Sequence, residues 1–471
     1  MSLMCHCHTD NVAIILESGR QISYAELQEE ISSFKLAFQE GGVVFCLCNN
    51  DWASLLCYLS ALESNAVALL LPATIQEQQL QSLMAAYAPK YIFHNRTDFR
   101  CMDYGEPIFF FDDYKLLACV QPIPHDIDDS LALLLATSGS TGSPKLVRLS
   151  ARNLAANADS IIEYLGITST ERAITSLPMH YSYGLSVINS HLRAGASIVL
   201  TDRSLMDAEY WRLIRCHEVT SFAGVPYTYE MLLKLKIERL KMPSVKTLTQ
   251  AGGKLAPQKI QQAYASCTSK GIRFFTMYGQ TEATARIAYL PFEDTLKKSA
   301  SIGIPIPGGK LWIEDENANR ILQPGTIGQL IYAGANVSLG YAMSYCDLSL
   351  GDVNHGVLQT GDLAMFDEDG YYYIVGRISR FVKIYGIRVS LDAVEKMLAD
   401  MGIQSAVLGE DEHLLICLIG ENQAELEYIR TKVSCTLSIN KIAITVKKVK
   451  SLPRLSNGKE DYQKLTEYCM R

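Results

Sequence analysis

The apolar run Leu131-Ala132-Leu133-Leu134-Leu135 leads straight into Ala136-Thr137-Ser138-Gly139-Ser140-Thr141-Gly142-Ser143-Pro144-Lys145. A strand that empties into a Gly/Ser/Thr loop ending on lysine suits a phosphate cradle. Glycine lets backbone N–H groups turn toward phosphate oxygens, hydroxyls add donors, and the lysine adds charge. The loop is not of the Walker kind. The chain contains neither GxxxxGK[ST] nor GxGxxG, and Pro144 before Lys145 disfavours continuation of the loop into a helix. Taken alone, the stretch reads either as a phosphate loop or as a Gly/Ser turn after a strand.

Working outward, short apolar runs alternate with helical patterns. VAIIL, YAELQEEISSFKLAF, VVFCLC, ASLLCYLSALESNAVALLL, QLQSLMAAY and YIFHN lie on the N-terminal side of the loop. SIVL (197–200), SFAGV (221–225) and RFFTMYG (273–279) follow it. This alternation predicts α/β layers with parallel sheets. From about residue 310 the texture changes to KLWIED, GQLIYAG and YYYIVG, punctuated by Pro324-Gly325 and Glu368-Asp369-Gly370, which predicts a small β subdomain. After Gly376-Arg377 a short α+β tail is expected, with strands near SAVLG, HLLICLIG and AITVKKV and a helix at LDAVEKMLAD.

Composition narrows the function classes. The 471 residues are 48% hydrophobic and 20% charged, which supports buried cores and argues against disorder. The formal net charge is −7, and the densest basic cluster, VKKVK at 446–450, alternates like a strand with one polar face. No nucleic-acid footprint follows. No apolar run approaches the roughly 18–20 residues of a membrane span, and MSLMCHCHTDN lacks the basic start and apolar core of a signal peptide. A cytoplasmic protein is expected. The 13 cysteines are scattered without paired CxxC spacing, so they read as reduced, half-buried residues. Cys5-His6-Cys7-His8 could touch a metal, but with no second ligand pair downstream it makes a poor cage.

Four further stretches decide what the loop is for. They are Tyr278-Gly279-Gln280-Thr281-Glu282; Thr360-Gly361-Asp362, expected to end a strand; Gly376-Arg377 before Lys383, Gly386 and Arg388; and Asn457-Gly458-Lys459 in LPRLSNGKEDY. Together, and in this order, they resemble the signature of the adenylate-forming superfamily, which includes acyl-CoA synthetases, standalone adenylation enzymes, nonribosomal peptide adenylation domains and luciferases. The resemblance runs from about residue 12 to the end of the chain. It implies an α/β fold: a large N-terminal domain (1–377) of layered α/β subdomains plus a small β subdomain, followed by a small mobile α+β C-terminal domain (378–471) carrying the catalytic lysine.

The resemblance also implies roles. Thr137, Ser138, Gly139, Ser140, Thr141, Gly142 and Lys145 would grip the β- and γ-phosphates of ATP. Tyr278 and Gly279 would bind adenine beside Gly252 and Gly253 of AGGKLAP. Thr281 would bond the α-phosphate, Glu282 would hold Mg²⁺, Asp362 would accept the ribose hydroxyls, and Arg377 would lie close to ribose or phosphate. Lys459 would bridge the substrate carboxylate and the α-phosphate. These assignments suit the chemistry. A carboxylate attacking phosphorus brings two anions together, so cations are needed where charge develops and donors around the leaving pyrophosphate.

Two departures from the family pattern stand out. Many members carry acidic residues, or Lys-Glu, where Ser379 and Arg380 stand; Ser379 is the pivot about which the C-terminal domain would turn, and a small residue can serve there. Lys383, Gly386 and Arg388 still match, in a segment that the resemblance turns toward the thiol. On the substrate side, Leu177 to Leu185 places Tyr181 where amino-acid-activating members commonly have an aspartate. A buried ammonium without a carboxylate partner is costly, which disfavours an α-amino acid. Tyr181, Ser182, Ala223 and Gly224 are pocket candidates. Arg286, which ends TEATAR, reads either as a pocket residue or as a surface arginine, and His180 reads as a satisfied structural histidine.

The function expected is an ATP- and Mg²⁺-dependent acid–thiol ligase, which forms acyl-AMP, releases pyrophosphate and passes the acyl group to CoA or to an acyl or peptidyl carrier protein. Its rivals are a non-catalytic nucleotide- or acyl-adenylate-binding protein, an amino-acid adenylation enzyme and a luciferase-like oxygenase. The absence of GxSxG and Walker motifs excludes a Ser hydrolase or a P-loop ATPase.

Overall fold

The computed structural model describes residues 9–38, 41–97, 105–119, 126–136, 145–385, 387–410, 412–419, 423–437, 439–454 and 460–469. They form two compact units. The first is Met1–Lys310 with Tyr332–Leu358, and the second is Leu311–Ile331 with Gln359–Arg471.

Two large sheets organise the first unit. One has eight strands in the spatial order Gly340–Ala342, Leu146–Ser150, Leu131–Ala136, Ala66–Pro72, Gly42–Cys48, Tyr91–His94, Tyr114–Cys119 and Gly105–Phe111. Its centre is parallel and its edges are antiparallel. The central strands GVVFCLC and AVALLLP read as almost unbroken apolar runs because both faces are covered, and nearly every residue in them is buried. The apolar stretch ASLLCYLSALESNAVALLL breaks at Glu63-Ser64-Asn65 into the helix Trp52–Leu62 and the strand Ala66–Pro72. Asp51 caps that helix by accepting from Ser54 N–H.

The second sheet runs in the order Ile304–Pro305, Ala288–Tyr289, Arg273–Tyr278, Thr247–Gln250, Ser221–Gly224, Arg172–Ile174, Ser197–Val199, Val12–Ile15 and Gln21–Ser23. Its strands from Arg273–Tyr278 to Val12–Ile15 are parallel. SFAGV and RFFTMYG are therefore neighbours of Thr247–Gln250 on either side, and their C-terminal ends, where ligands gather in parallel sheets, lie together. The helix Ala151–Leu165 starts at Ser150, whose side chain accepts from Asn153 N–H, and it buries Leu154, Ala155, Ala158 and Ile161.

Most of a four-stranded sheet belongs to the second unit: Lys310–Glu314, Gly328–Ala333, Val357–Phe366 and Tyr372–Arg377, the last two strands pairing antiparallel. Thr360-Gly361-Asp362 does not end a strand. It sits inside Val357–Phe366, because Leu363-Ala364-Met365 continue the ladder opposite Tyr372–Arg377. Further on come the hairpin Phe381–Ile384/Ile387–Ser390 and a three-stranded sheet, Ser405–Glu410, His413–Ile419 and Ile444–Val449. The helices Leu391–Asp400, Gln423–Leu437 and Tyr462–Cys469 complete the unit. Val394, Leu398, Ile416, Ile429 and Val433 are part of its core. The cysteines among the described residues are all free, and no described helix is long and apolar enough to cross a membrane.

Candidate active site

In the first unit, strand Arg273–Tyr278 delivers the YGQTE stretch. Gly279 is required there: a Cβ on it would lie 1.7 Å from the Ala285 carbonyl oxygen. The chain then makes a single 3₁₀ turn, Thr281–Ala283, and leaves through Thr284 at φ 58° and Ala285 at φ 125°, a strained exit of the kind found at functional loops. This turn puts Thr281 Oγ1 3.2 Å from Ser182 Oγ. Ser182 opens the helix Ser182–Arg193, whose N-cap, Tyr181, makes no capping hydrogen bond with its side chain. The positive end of a helix dipole therefore lies beside Thr281. Tyr278 is close by in the loop, its phenol oxygen accepting from Gln280 Nε2 at 3.2 Å.

The AGG turn approaches the same place. Gly252 has φ +84°, and a Cβ on it would lie 2.5 Å from the Tyr181 hydroxyl oxygen, while one on Gly253 would lie 3.1 Å from Pro226 Cγ. Ala223 and Gly224 stand in register with Thr249 and Gln250. Tyr181 and Met277 pack in one apolar cluster with Ala223 and Ala251. Tyr181, Ser182, Ala223, Gly224, Gly252, Gly253, Tyr278, Gly279 and Thr281, scattered over a hundred residues of sequence, are thus assembled around one set of strand ends. Burial pushes the Tyr181 phenol up to about 12, so it stays protonated.

Glu282 points to a residue that the sequence did not single out. Its Oε1 accepts from the Tyr341 hydroxyl at 2.8 Å, and Lys145 Nζ stands 3.6 Å from the centroid of the Tyr341 ring. Tyr341 therefore links Lys145 to Glu282. Burial, and next the Glu282 charge, hold its phenol well above the usual range, so it remains a donor. The linkage depends on strand pairing: Gly340, Tyr341 and Ala342 pair with Arg148, Val147 and Leu146, which follow Lys145 in sequence. Arg148, fully buried, fastens that stretch. Its Nη2 donates to Leu339 O at 3.0 Å, its Nε to Tyr341 O at 3.1 Å and its Nη1 to Gly351 O at 3.2 Å and to Leu350 O. The nearest signal in the sequence is an aromatic in a short strand after glycine, which says nothing of its partner. Thr137, Ser138, Gly139, Ser140, Thr141 and Gly142 lie outside the described residues.

The second unit carries Asp362 and Arg377. They face each other across paired strands, and Arg377 Nε donates to the buried Asp362 Oδ1 at 3.0 Å. Arg377 N–H also donates to Asp392 Oδ2 at 3.0 Å. The segment expected to be the hinge is one 3₁₀ turn, Ile378–Arg380, which includes Ser379. Arg380 is held firmly. Its guanidinium pairs with Asp392 and with Glu395 at 2.7 Å, donates to Val407 O at 3.2 Å and lies 4.1 Å from the centroid of the Tyr462 ring. Burial raises Glu395 to about 7 despite the pull of Arg380 in the other direction. Lys383 is an exposed strand residue opposite Arg388, followed by Tyr385 at φ 47°. Gly386 and Lys459 lie outside the described residues.

A partly open pocket runs along the helix Ser182–Arg193 in the first unit. Ser186, Val187, Ser190 and His191 line one side, and Ser221, Phe222, Ala223 and Thr249 another. Arg286 also lines it and is only 3% exposed, which overturns its reading as a surface arginine. His191 is buried, and burial lowers it to about 4, so it is neutral; its Nδ1 lies 2.8 Å from Val187 O. Gly224 is not among the lining residues. His180 departs from expectation too, since its buried Nδ1 has no hydrogen-bond partner among the described residues.

Among the described residues no group of three or more His, Cys, Asp or Glu side chains could cage a metal. Glu282 suits a different arrangement. Its Oε1 is oriented by Tyr341 and its Oε2 makes no hydrogen bond among the described residues, which fits Mg²⁺, an ion that takes one or two carboxylates, substrate phosphates and water.

Layered, largely parallel sheets in a large α/β unit, together with a smaller α+β unit, define the adenylate-forming class of enzyme. The fold of o-succinylbenzoate coenzyme A synthetase from Bacillus subtilis, solved in complex with ATP and magnesium ion, covers 96% of this chain and 95% of that one with a TM-score of 0.76 at 22% identity. The chain belongs to the AMP-binding enzyme family, which it matches over residues 4–342. It is 29% identical over 344 residues to a 2-succinylbenzoate–CoA ligase of Enterococcus faecalis, covering 71% of this chain and 69% of that protein. It is 25% identical over 509 aligned positions to the 4-coumarate–CoA ligase-like 6 protein of Arabidopsis thaliana, covering 97% and 88% respectively.

Proposed function

We propose that this protein is a cytoplasmic, ATP- and Mg²⁺-dependent acid–thiol ligase acting in two steps. In the first, an oxygen of the substrate carboxylate attacks the α-phosphorus of ATP, the bond to the β-phosphate oxygen breaks, and acyl-AMP and pyrophosphate form. Thr281 and the helix end at Ser182 donate to the α-phosphate, a reading supported by the 3.2 Å approach of Thr281 Oγ1 to Ser182 Oγ at the helix N-terminus. Lys145 and the Gly/Ser/Thr loop receive the leaving pyrophosphate, and Lys459 bridges the reacting anions. Glu282 would hold Mg²⁺, which when bound would supply positive charge against the phosphate oxygens. Asp362 accepts from the ribose hydroxyls. In the second step a thiolate attacks the acyl carbon and AMP leaves.

For the second step, residues 378–471 turn about Ser379 as a mobile domain and bring Lys383 and Gly386 to the thiol. The relatives' names support CoA as the acceptor; a carrier-protein phosphopantetheine arm presents the same thiol. The observation that carries the proposal is the convergence of Thr281, Ser182 and Tyr181 with the AGG turn, beside a link from Lys145 through Tyr341 to Glu282. The test is pyrophosphate release from ATP with a panel of carboxylic acids, with and without CoA or a phosphopantetheinylated carrier protein. Acid-dependent release, with thioester only when thiol is present, is expected. Acid-independent hydrolysis of ATP to ADP would refute it.

A further inference from the structure

We infer that Arg286 selects for a substrate acid that carries a second anionic group, in addition to the carboxylate that is activated. This deepens the ligase reading and rests on it. Arg286 lines the pocket described above, yet it is 3% exposed and forms no ion pair with a carboxylate among the described residues. Its Nε has no hydrogen-bond partner there either. The neighbours it does have are aromatic: its guanidinium carbon stands 4.1 Å from the centroid of the Tyr183 ring, and the Tyr164 phenol lies beside it. A ring face attracts a cation but does not cancel its charge, and a guanidinium cannot shed its proton to escape burial. A buried, permanently charged group without an anion is costly, and a bound anion relieves that cost.

The other charged groups facing the pocket do not supply that anion. Glu171 is paired with Lys246 at 3.4 Å. His191 is neutral. Arg273 adds a second guanidinium, donating to Leu165 O at 2.9 Å and to Thr247 Oγ1 at 3.1 Å. The charge offered to a ligand is thus positive. An apolar acid leaves Arg286 unpaired, and an α-amino acid sets an ammonium against it. A dicarboxylate, or an acid bearing a sulfonate or phosphate, completes the pair in the two-pronged geometry that a guanidinium favours.

The test compares dicarboxylic acids, short and aromatic, with their half-esters and with monocarboxylic acids of matched size, by acid-dependent ATP–pyrophosphate exchange. Wild type should prefer the best diacid over its half-ester by about 30-fold or more in kcat/KM, the discrimination expected when a buried charge is left unpaired. Arg286→Met, which keeps the apolar stem, should shrink that preference to within about threefold, and Arg286→Lys should recover part of it. Without ligand, the melting temperature of Arg286→Met should equal or exceed that of wild type, since a purely structural arginine would lower it on removal. A monoacid or half-ester used as well as any diacid, or an Arg286→Met variant that keeps the preference, overturns the inference while leaving the ligase reading intact. Absence of exchange with every acid overturns the ligase reading instead.

Discussion

Replacing Tyr341 by phenylalanine removes one oxygen and leaves the ring in place. That oxygen donates to Glu282 Oε1 at 2.8 Å, and the ring carries Lys145 Nζ 3.6 Å from its centroid. A hydrogen bond to a charged group contributes about 1.5–3 kcal/mol, and loss of a partner that orients a metal-binding carboxylate costs about 10–100-fold in metal affinity or activity. Tyr341→Phe should therefore raise the Mg²⁺ concentration for half-maximal ATP–pyrophosphate exchange by about 10–100-fold, with most of the rate returning at saturating Mg²⁺. Tyr341→Leu loses the ring as well, and with it a cation–π interaction of about 0.5–2 kcal/mol, so it should fall about 2–30-fold below Tyr341→Phe at saturating Mg²⁺. Tyr341 is 39% exposed, so neither change should move the melting temperature by more than a degree or two. The assay is exchange at fixed ATP and acid, titrated with MgCl₂. An unchanged Mg²⁺ titration for Tyr341→Phe, or identical losses in both variants, refutes the linkage.

Asp362→Ala removes the carboxylate opposite Arg377 and, on the reading above, the acceptor for the ribose. ATP affinity by calorimetry should weaken about 10–100-fold, and an unchanged Kd removes Asp362 from the nucleotide site. Glu395, raised by burial to about 7 from an ordinary 4.5, keeps its proton in the folded state across a window in which the unfolded chain has lost it. Its contribution therefore lowers stability as pH rises from 4.5 to 7, by up to about 3 kcal/mol at 1.36 kcal/mol per unit. Glu395→Gln should flatten that part of the pH–melting profile relative to wild type, and superimposable profiles would count against the assignment.

Much of this was written plainly in the sequence. The alternation of apolar runs with helical patterns gave the layered α/β units, because fully covered parallel strands such as GVVFCLC leave an unbroken apolar signature. The motif residues were legible because glycine positions are dictated locally: Gly279 and Gly252 stand where a Cβ cannot fit. What stayed hidden depended on partners far away in the chain. Tyr341 becomes meaningful only through its pairing with Leu146–Ser150. Arg286 read equally as a surface or a pocket residue because one charged side chain carries no sign of its burial. Thr360-Gly361-Asp362 read as the end of a strand, yet the ladder continues past it opposite Tyr372–Arg377. Arg380 broke the expected acidic pattern at the hinge, and only the fold reveals the carboxylates of Asp392 and Glu395 that receive it.

The most direct test of the central claim is detection of the intermediate itself. Purified protein, ATP and Mg²⁺ are mixed with the acid panel without thiol, and the quenched mixture is examined by mass spectrometry, in parallel with Lys459→Ala. The account predicts an acyl-adenylate, formed with one equivalent of pyrophosphate, consumed on adding thiol and at least about a hundredfold slower to form in the variant, as befits loss of a charge placed at the reacting centre. ATP consumed without any acyl-adenylate, or formation unaffected by Lys459→Ala, would contradict it.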